Sequence, residues 1–517
     1  MSDAALSRSR PTGRPAMAEP PKTFPPEQMV PGKIPPVPKL ALLAMIAMIS
    51  PIWLDVAGVL LAPTRVLFVA CLPVLLVMLF MGKFGKVVLT DYLMLFYSFW
   101  MYLSIALFNT DVVLVFGTLQ MSLVLGGYLI GRASIRTLGD WQAMARLFGI
   151  IVVCMAPLAV HEAITAAFLI PDFIASLPGF TSVTDVTDKG YPRRFGLDRA
   201  QVVFGHPIHF GLYCAMPISL FFIGLRNKIS FITRGTAVAL MLAACFTSVS
   251  SGPLLSAIFQ TGLIGYFMML DGHPKQWPIL LWGLAIIYAI IEIGSDTFGL
   301  YAVAVRLAFN SNTASIRRTL WEYGTAQVAD HPILGIGHNW WNHPVWMSGS
   351  IDNYWLQLAI LYGIPASFAM IAVYFSIMIR AGRGKFIPGS DAYNARVAVT
   401  FLLVTMFLIL ATVTIWNEVL GMVMFLLGSS VFLLQPLAGE APQAAADPRA
   451  ARSRGGGRPA AADPVPPPRG GAGTGPGSSA PVYTRFPKGS VPAGGARPAR
   501  PGSARAAQPV RKRLNED

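Results

Sequence analysis

Residues 295–364 read SDTFGLYAVAVRLAFNSNTASIRRTLWEYGTAQVADHPILGIGHNWWNHPVWMSGSIDNYWLQLAILYGI, a long polar and aromatic stretch in an otherwise apolar chain. The stretch holds the adjacent Arg317 and Arg318, three of the seven histidines and a Gly-x-Gly sequence, and Asp352-Asn353 precedes the next apolar run. Connecting loops are usually short, and long ones usually carry function. The sequence therefore predicts a functional loop between two membrane-spanning helices.

The composition of the rest of the chain predicts an α-helical membrane protein. Of its 517 residues, 54% are hydrophobic and 13% are charged, whereas soluble domains have about 25% charged residues. Apolar runs of about eighteen residues recur along the chain, as in transmembrane helices. We predict an all-α polytopic membrane protein with about twelve transmembrane helices. The predicted spans are residues 40–54, 63–82, 91–108, 111–131, 147–169, 206–224, 235–250, 252–270, 278–294, 353–379, 397–414 and 418–435.

The basic residues of the short loops predict the orientation of these spans. Pairs such as Lys83 and Lys86, or Arg226 and Lys228, fall in alternate loops, and positively charged loops stay in the cytoplasm. Both termini are then cytoplasmic, and the two long loops, 170–205 and 295–351, are on the outer side. This topology explains the net charge of +15 better than nucleic-acid binding does.

The composition also divides the chain into three regions. Residues 1–38 lack the apolar core of a signal peptide, and we predict a disordered cytoplasmic arm. Residues 39–437 form the transmembrane domain. Residues 438–517 are rich in Pro, Gly, Ala and Arg, which predicts a disordered basic cytoplasmic tail.

Arginines in the two long loops indicate a site for an anion. They are Arg193, Arg194, Arg199, Arg306, Arg317 and Arg318. A guanidinium group can bind two phosphate oxygens at once, so a phosphate-bearing ligand is the favoured interpretation. The alternative is that these arginines form salt bridges with nearby acidic residues such as Asp198 and Glu322.

A helix is predicted from Asn312 or Thr313, which can cap it, to about Ala329. Arg317 and Trp321 lie four residues apart and therefore on one face of this helix. We expect the indole to support the guanidinium at a binding site, although a purely structural Arg–Trp pair is the alternative.

Histidines near the spans have two interpretations each. His206, in the sequence FGHPIHFG of residues 204–211, opens the sixth predicted span and either binds a ligand or caps the helix. His161 and Glu162 lie within the fifth span, where ionisable residues are functional candidates. A mutual pair that stabilises helix packing is the alternative.

The order of these motifs resembles the O-antigen ligase/polymerase superfamily of bacterial inner-membrane glycosyltransferases. The likeness covers roughly residues 40–435. The residues that carry it are Arg317 and Trp321, Pro332, Gly335 and Gly337, Asp352, Asn353 and Leu356, Gly363 and Ile364, together with Arg199 to Pro207 and Ser250 to Pro253. Ser251 stands where many members of the superfamily have arginine.

The resemblance implies a GT-C-like fold and an inverting glycosyl transfer that needs no metal or other cofactor. A glycan would leave its polyprenyl diphosphate for a hydroxyl acceptor at the periplasmic face of the inner membrane. The predicted donor-binding residues are Arg194, Arg199, His206, Arg317, Arg318, Trp321 and Asn353. Ligase-like members place His before the Asn, whereas this chain has Asp352, so Asp352 and His338 are both candidate general bases. Asp352 could instead cap the following helix.

We predict that the chain polymerises polyprenyl-diphosphate-linked oligosaccharide repeat units into a surface or exo-polysaccharide. One alternative is an O-antigen ligase, and another is a flippase or polysaccharide exporter, which the scarcity of charge in the spans disfavours. A third is an assembly factor whose outer loop docks partners. The predicted partners are the lipid-linked oligosaccharide and membrane lipids, with a chain-length regulator or export protein as a further candidate and no nucleic acid.

Overall fold

The computed structural model describes residues 33–56, 59–182, 191–271, 273, 275–293, 311–347, 349–383 and 386–435. Most of the predicted N-terminal arm and the whole predicted tail lie outside these residues. So do residues 294–310, which include Arg306.

The described chain is a bundle of helices joined mostly by short connections. Its helices are α1 (Lys39–Met48), α2 (Pro63–Phe80), α3 (Leu89–Phe108), α4 (Val113–Ser134), α5 (Leu138–Thr165), α6 (Leu169–Ala175), α7 (Pro207–Phe222), α8 (Phe231–Thr247), α9 (Ser251–Met269), α10 (Gln276–Ile293), α11 (Ser311–Asp330), α12 (Tyr354–Arg383), α13 (Asp391–Ile409) and α14 (Asn417–Ser429). Each of the twelve predicted spans overlaps one of these helices.

Within the described residues, eight helices are long and apolar enough to cross a membrane. They are α2, α3, α4, α5, α9, α12, α13 and α14, the last extended by the short turn Val431–Leu434. The other four predicted spans fall on α1, α7, α8 and α10, whose described apolar segments have 10–17 residues. The chain is thus a multi-pass helical membrane protein, and the number of twelve crossings stays a prediction.

The first predicted span, residues 40–54, is wrong in its second half. Helix α1 ends at Met48, and strand β1 (Ile52–Val56) pairs antiparallel with β2 (Val59–Leu61) and β3 (Thr181–Ser182), in the order β2-β1-β3. Pro51 has no amide for a helical hydrogen bond, and the sequence IWLDV suits a strand. The all-α prediction therefore missed a small three-stranded sheet.

At one end of the bundle, which we call the site end, connections distant in sequence meet. The amide of Ala200, after α6, donates to the carbonyl of Thr247, at the end of α8, over 3.0 Å. The amide of Tyr354, at the start of α12, donates to the carbonyl of Leu410, after α13, over 2.8 Å. Residues in or directly after each predicted long loop are therefore hydrogen-bonded to another connection of the bundle.

At the opposite end, another set of connections makes its own contacts. Lys228, between α7 and α8, forms an ion pair of 3.1 Å with Asp391, at the start of α13. Asn227 donates to the carbonyl of Gly389 over 2.9 Å. Two separate ends of this kind are expected when successive helices cross the same layer in alternate directions.

Helix α12 is broken at Gly363, whose φ of 81° and ψ of 171° are not helical. Pro365 follows two residues later and has no amide to continue the helical ladder. The carbonyls of Ile360 and Leu361, one turn earlier, therefore lose the partners that a regular helix would give them.

Residues 332–337 (PILGIG), which we call the glycine loop, fill this gap. The amide of Ile336 donates to the carbonyl of Ile360 over 3.0 Å, and that of Gly337 donates to Leu361 over 2.8 Å. Gly335 has φ +65°, and a Cβ there would lie 2.4 Å from the backbone of Leu361. The Gly-x-Gly motif thus has a structural role, because it completes the broken helix.

Candidate functional site

Helix α11 lies beside the first turns of α12 and forms one wall of the site end. Its range confirms the predicted helix, although Asn312 and Thr313 lie within the helix and do not cap it. Gly324 permits the close approach, since a Cβ there would lie 2.8 Å from the side chain of Leu356. Because α11 packs against α12 in this way, Arg317, near the start of α11, lies close to the residues just before α12.

Arg317 extends towards the connection between α13 and α14. Its Nη2 donates to the carbonyl of Thr412 in a long hydrogen bond of 3.5 Å. Burial lowers the pKa of Arg317, while the nearby charge of Asp352 raises it. Trp321 is 49% exposed, and its support of the guanidinium stays a prediction.

Two of the candidate arginines form surface ion pairs. Arg318 donates to Glu322 over 2.9 Å, and both side chains are more than half exposed. Arg193 binds Asp198 over 2.8 Å and is 64% exposed. For these two residues the structure shows the salt-bridge alternative that the sequence left open.

Arg194 and Arg199 bind the connection between α8 and α9. Arg199 donates from Nη2 to the hydroxyl of Ser250 over 2.7 Å and from Nε to the carbonyl of Ser248 over 3.4 Å. Arg194 donates to the carbonyl of Val249 over 3.1 Å. Burial, then repulsion from Arg194, lowers the pKa of Arg199 to about 10, and Tyr191 acts in the opposite direction. The guanidinium of Arg199 therefore stays charged at neutral pH.

The backbone that carries Arg199 is fixed by a buried carboxylate. Glu162, on α5, accepts hydrogen bonds from the amides of Gln201 and Val202 over 3.0 and 2.9 Å. The partner of Glu162 is therefore this loop, and the alternative of a mutual pair with His161 is wrong. The sequence indicated that Glu162 was unusual but could not identify its partner.

His206 caps α7 and also contacts Tyr191, which in turn contacts Arg199. Its Nδ1 accepts from the amide of Ile208 over 3.1 Å, as the capping alternative predicted. Its ring centre lies 4.8 Å from that of Tyr191, over which the guanidinium of Arg199 lies at 5.3 Å. A role for His206 in donor binding stays a prediction.

The connection of residues 410–416 is the part of the site that the sequence analysis missed. Thr412 accepts from Arg317, and the ring of Trp416 lies 3.9 Å from that of His209. A Cβ on Gly252 would lie 2.8 Å from Val413, so this connection also adjoins the one that binds Arg199. The signal was the sequence ATVTIWN, residues 411–417, whose first four residues fall within the predicted span 397–414.

Asp352 and Asn353 have separate roles. Asn353 is buried, and its side-chain carbonyl accepts from the amide of Leu356 over 3.0 Å. Asp352 is exposed and accepts from the hydroxyl of Ser350 over 2.8 Å. The cap of α12 is therefore Asn353, and the capping alternative for Asp352 is wrong. Donor binding by Asn353 stays a prediction, as does a base role for Asp352.

His338 packs against the connection between α3 and α4. Its amide donates to the side chain of Asn109 over 2.7 Å, and its ring stacks on Phe116 at 4.0 Å. Partial burial lowers the pKa of His338. The preceding residue binds Leu361, which is roughly 10 Å along α12 from its start. The structure therefore does not bring His338 and Asp352 together.

Residues 236–371 match a family model described as O-antigen ligase. The matched range includes Ser250, α11, the glycine loop and Asn353. No curated protein sequence matches the chain. The family match confirms, over residues 236–371, the resemblance predicted from the motifs.

Proposed function

We propose that this protein polymerises polyprenyl-diphosphate-linked oligosaccharide repeat units at the periplasmic face of the bacterial inner membrane, with both termini in the cytoplasm. The observation that carries the proposal is that Arg194, Arg199 and Arg317 converge on two adjoining connections, residues 248–250 and 410–412. The first two arginines bind uncharged acceptors, so their positive charge is available to phosphate oxygens.

The arginines would act on the leaving group. When the acceptor hydroxyl attacks the anomeric carbon, the bond from that carbon to the diphosphate oxygen breaks and negative charge develops on the diphosphate. Fixed guanidinium groups stabilise such charge without reorganising. Arg199 and Arg317 are held by hydrogen bonds before any substrate binds, which supports this role.

Asp352 is the base that we propose. It is exposed, and its charge acts on Arg317, so it lies on the diphosphate side of the site. A carboxylate there could accept the proton of the acceptor hydroxyl as the glycosidic bond forms. His338 contacts a different connection, which favours Asp352 over His338.

Ligation of a finished glycan to a lipid or other acceptor is the second candidate function. The description of the matched family model, O-antigen ligase, favours it. Asp352 in the place where ligase-like members have His favours polymerisation. Both functions use the same donor, and they differ in the acceptor.

Reconstitution with a lipid-linked repeat unit tests the proposal. We expect a ladder of polymer products from the wild-type protein in liposomes, with no ladder from Arg317→Ala and a normal one from Arg318→Ala. A single transfer to an added lipid acceptor, without a ladder, would establish ligation instead. Transport of the donor without any glycosidic bond formed would overturn both functions.

A further inference from the structure

An apolar groove lies between α5 and α8 at the site end. Its volume is about 480 Å³. Val160 and Ile164 line it from α5, Leu242, Ala243 and Phe246 line it from α8, and Leu197 lines it from the loop before α7. The groove therefore has apolar walls on two helices, and the arginine-bearing loop contributes one residue to its lining.

The backbone of this loop is hydrogen-bonded to both helices that form the groove. The amide of Asp198 donates to the carbonyl of Ala163, on α5, and the amide of Ala200 donates to that of Thr247, on α8, each over 3.0 Å. Residues 197–200, which we call the strap, thus run from one helix to the other. Arg199 lies between these two attachment points.

A tight turn places a second arginine, Arg194, beside Leu197. The backbones of Arg194 and Leu197 pair with each other in both directions, over 3.1 and 3.0 Å. Phe195, at the tip of the turn, is 72% exposed and has φ 53°.

We propose that the groove holds the first isoprene units of the donor's polyprenyl chain while Arg194 and Arg199 hold its diphosphate. The proposal rests on the proposed function and adds the path of the lipid. A polyprenyl diphosphate joins an anionic head directly to an apolar chain, and it needs cations directly beside an apolar channel. The strap provides this arrangement, because Leu197 lines the groove and Arg199 follows two residues later in the same segment.

The shape of the groove, and not hydrophobicity alone, would select the chain. Membrane lipid tails are as apolar as the groove, so its apolar walls alone give no preference for the donor. Selection would come from the narrow groove together with the arginines beside it, which suit a single branched chain attached to a diphosphate better than a diacyl phospholipid.

Photo-crosslinking tests binding independently of turnover. The probe is a polyprenyl diphosphate with a photoreactive group on its first isoprene unit, added to the full chain in lipid nanodiscs. We expect labelling of α8 around residues 242–246, and we expect Ala243→Leu to abolish it. The matched control is Ala285→Leu, at an exposed alanine of α10, which should leave labelling unchanged. Labelling elsewhere, or equal competition by a diacyl phospholipid, would overturn the proposal.

Kinetics with two donors separate this proposal from the proposed function. Ala243→Leu should raise KM for a polyprenyl-linked donor roughly tenfold or more, and leave KM unchanged for the same oligosaccharide diphosphate with a methyl group in place of the polyprenyl chain. Equal effects on both donors would overturn the groove as a lipid site. If the wild-type protein transfers from neither donor, the proposed function fails, and crosslinking alone decides the groove.

Discussion

The Nη2 atom of Arg199 donates to the hydroxyl of Ser250 over 2.7 Å. This hydrogen bond joins the loop before α7 to the connection between α8 and α9. Its acceptor is a hydroxyl group and not a carboxylate, so the guanidinium is oriented while its charge is not neutralised. Such an arrangement suits a residue that must hold an anionic leaving group.

Replacing Arg199 with lysine should reduce activity although the charge is retained. An ammonium group cannot contact Ser248, Ser250 and a phosphate with the geometry of a guanidinium. The loss of a charge-assisted contact of about 1.5–3 kcal/mol corresponds to roughly a 10- to 150-fold fall in kcat/KM. The control is Arg193→Lys, at an exposed arginine paired with Asp198, which should retain normal kcat/KM. Similar losses in both variants would contradict a specific role for Arg199.

Substitutions at Asp352 and Asn353 should separate catalysis from stability. Asp352→Asn should abolish polymer formation while the unfolding midpoint stays the same, because Asp352 is exposed and does not cap α12. Asn353→Ala should lower the free energy of unfolding by about 1 kcal/mol, the usual cost of a lost helix cap. Normal polymer yield from stable Asp352→Asn protein would rule out the base role.

A substitution in the glycine loop should destabilise the protein. Gly335→Ala places a side chain at φ +65°, which costs about 1–2 kcal/mol even before its clash with Leu361. Gly262→Ala, on α9, is the control, because a Cβ there meets no atom within 4 Å and alanine favours helix by about 1 kcal/mol. Thermal unfolding in detergent should give a lower midpoint for the first variant only. Equal midpoints would show that the loop does not support α12.

His338 should make stability depend on pH. Burial lowers its pKa in the folded protein, so between that value and the ordinary value of about 6.5 the unfolded chain binds more protons. The free energy of unfolding should therefore fall as pH decreases below about 6.5. Measured at about pH 7.5 and about pH 5.5, the wild-type protein should lose more stability than His338→Gln. A larger loss in the variant would reverse the expected sign.

Much of the helical architecture could be predicted from the sequence, because insertion into a membrane depends on local apolar composition. The twelve predicted spans all overlap helices, and α11 was predicted from two candidate capping residues that lie within it. The pairing of β1 with β3 could not be predicted, since Trp53 and Thr181 are far apart in the sequence. The contact of Arg317 with Thr412 was missed for the same reason. The N-cap of α12 is Asn353 and not Asp352, and sequence periodicity does not locate a helix end to within one residue.

The break in α12 imposes an order on biogenesis. The ribosome synthesises the glycine loop before it synthesises α12. The amides of Ile336 and Gly337 in this loop later donate to the carbonyls of Ile360 and Leu361 in α12. A helix placed in lipid with the carbonyls of Ile360 and Leu361 bare would pay several kcal/mol for each of them. Helix α12 therefore reaches its final depth only together with the preceding segment, as one cooperative unit. A nascent chain in which the two fail to dock would expose a defect that membrane quality-control proteases can recognise.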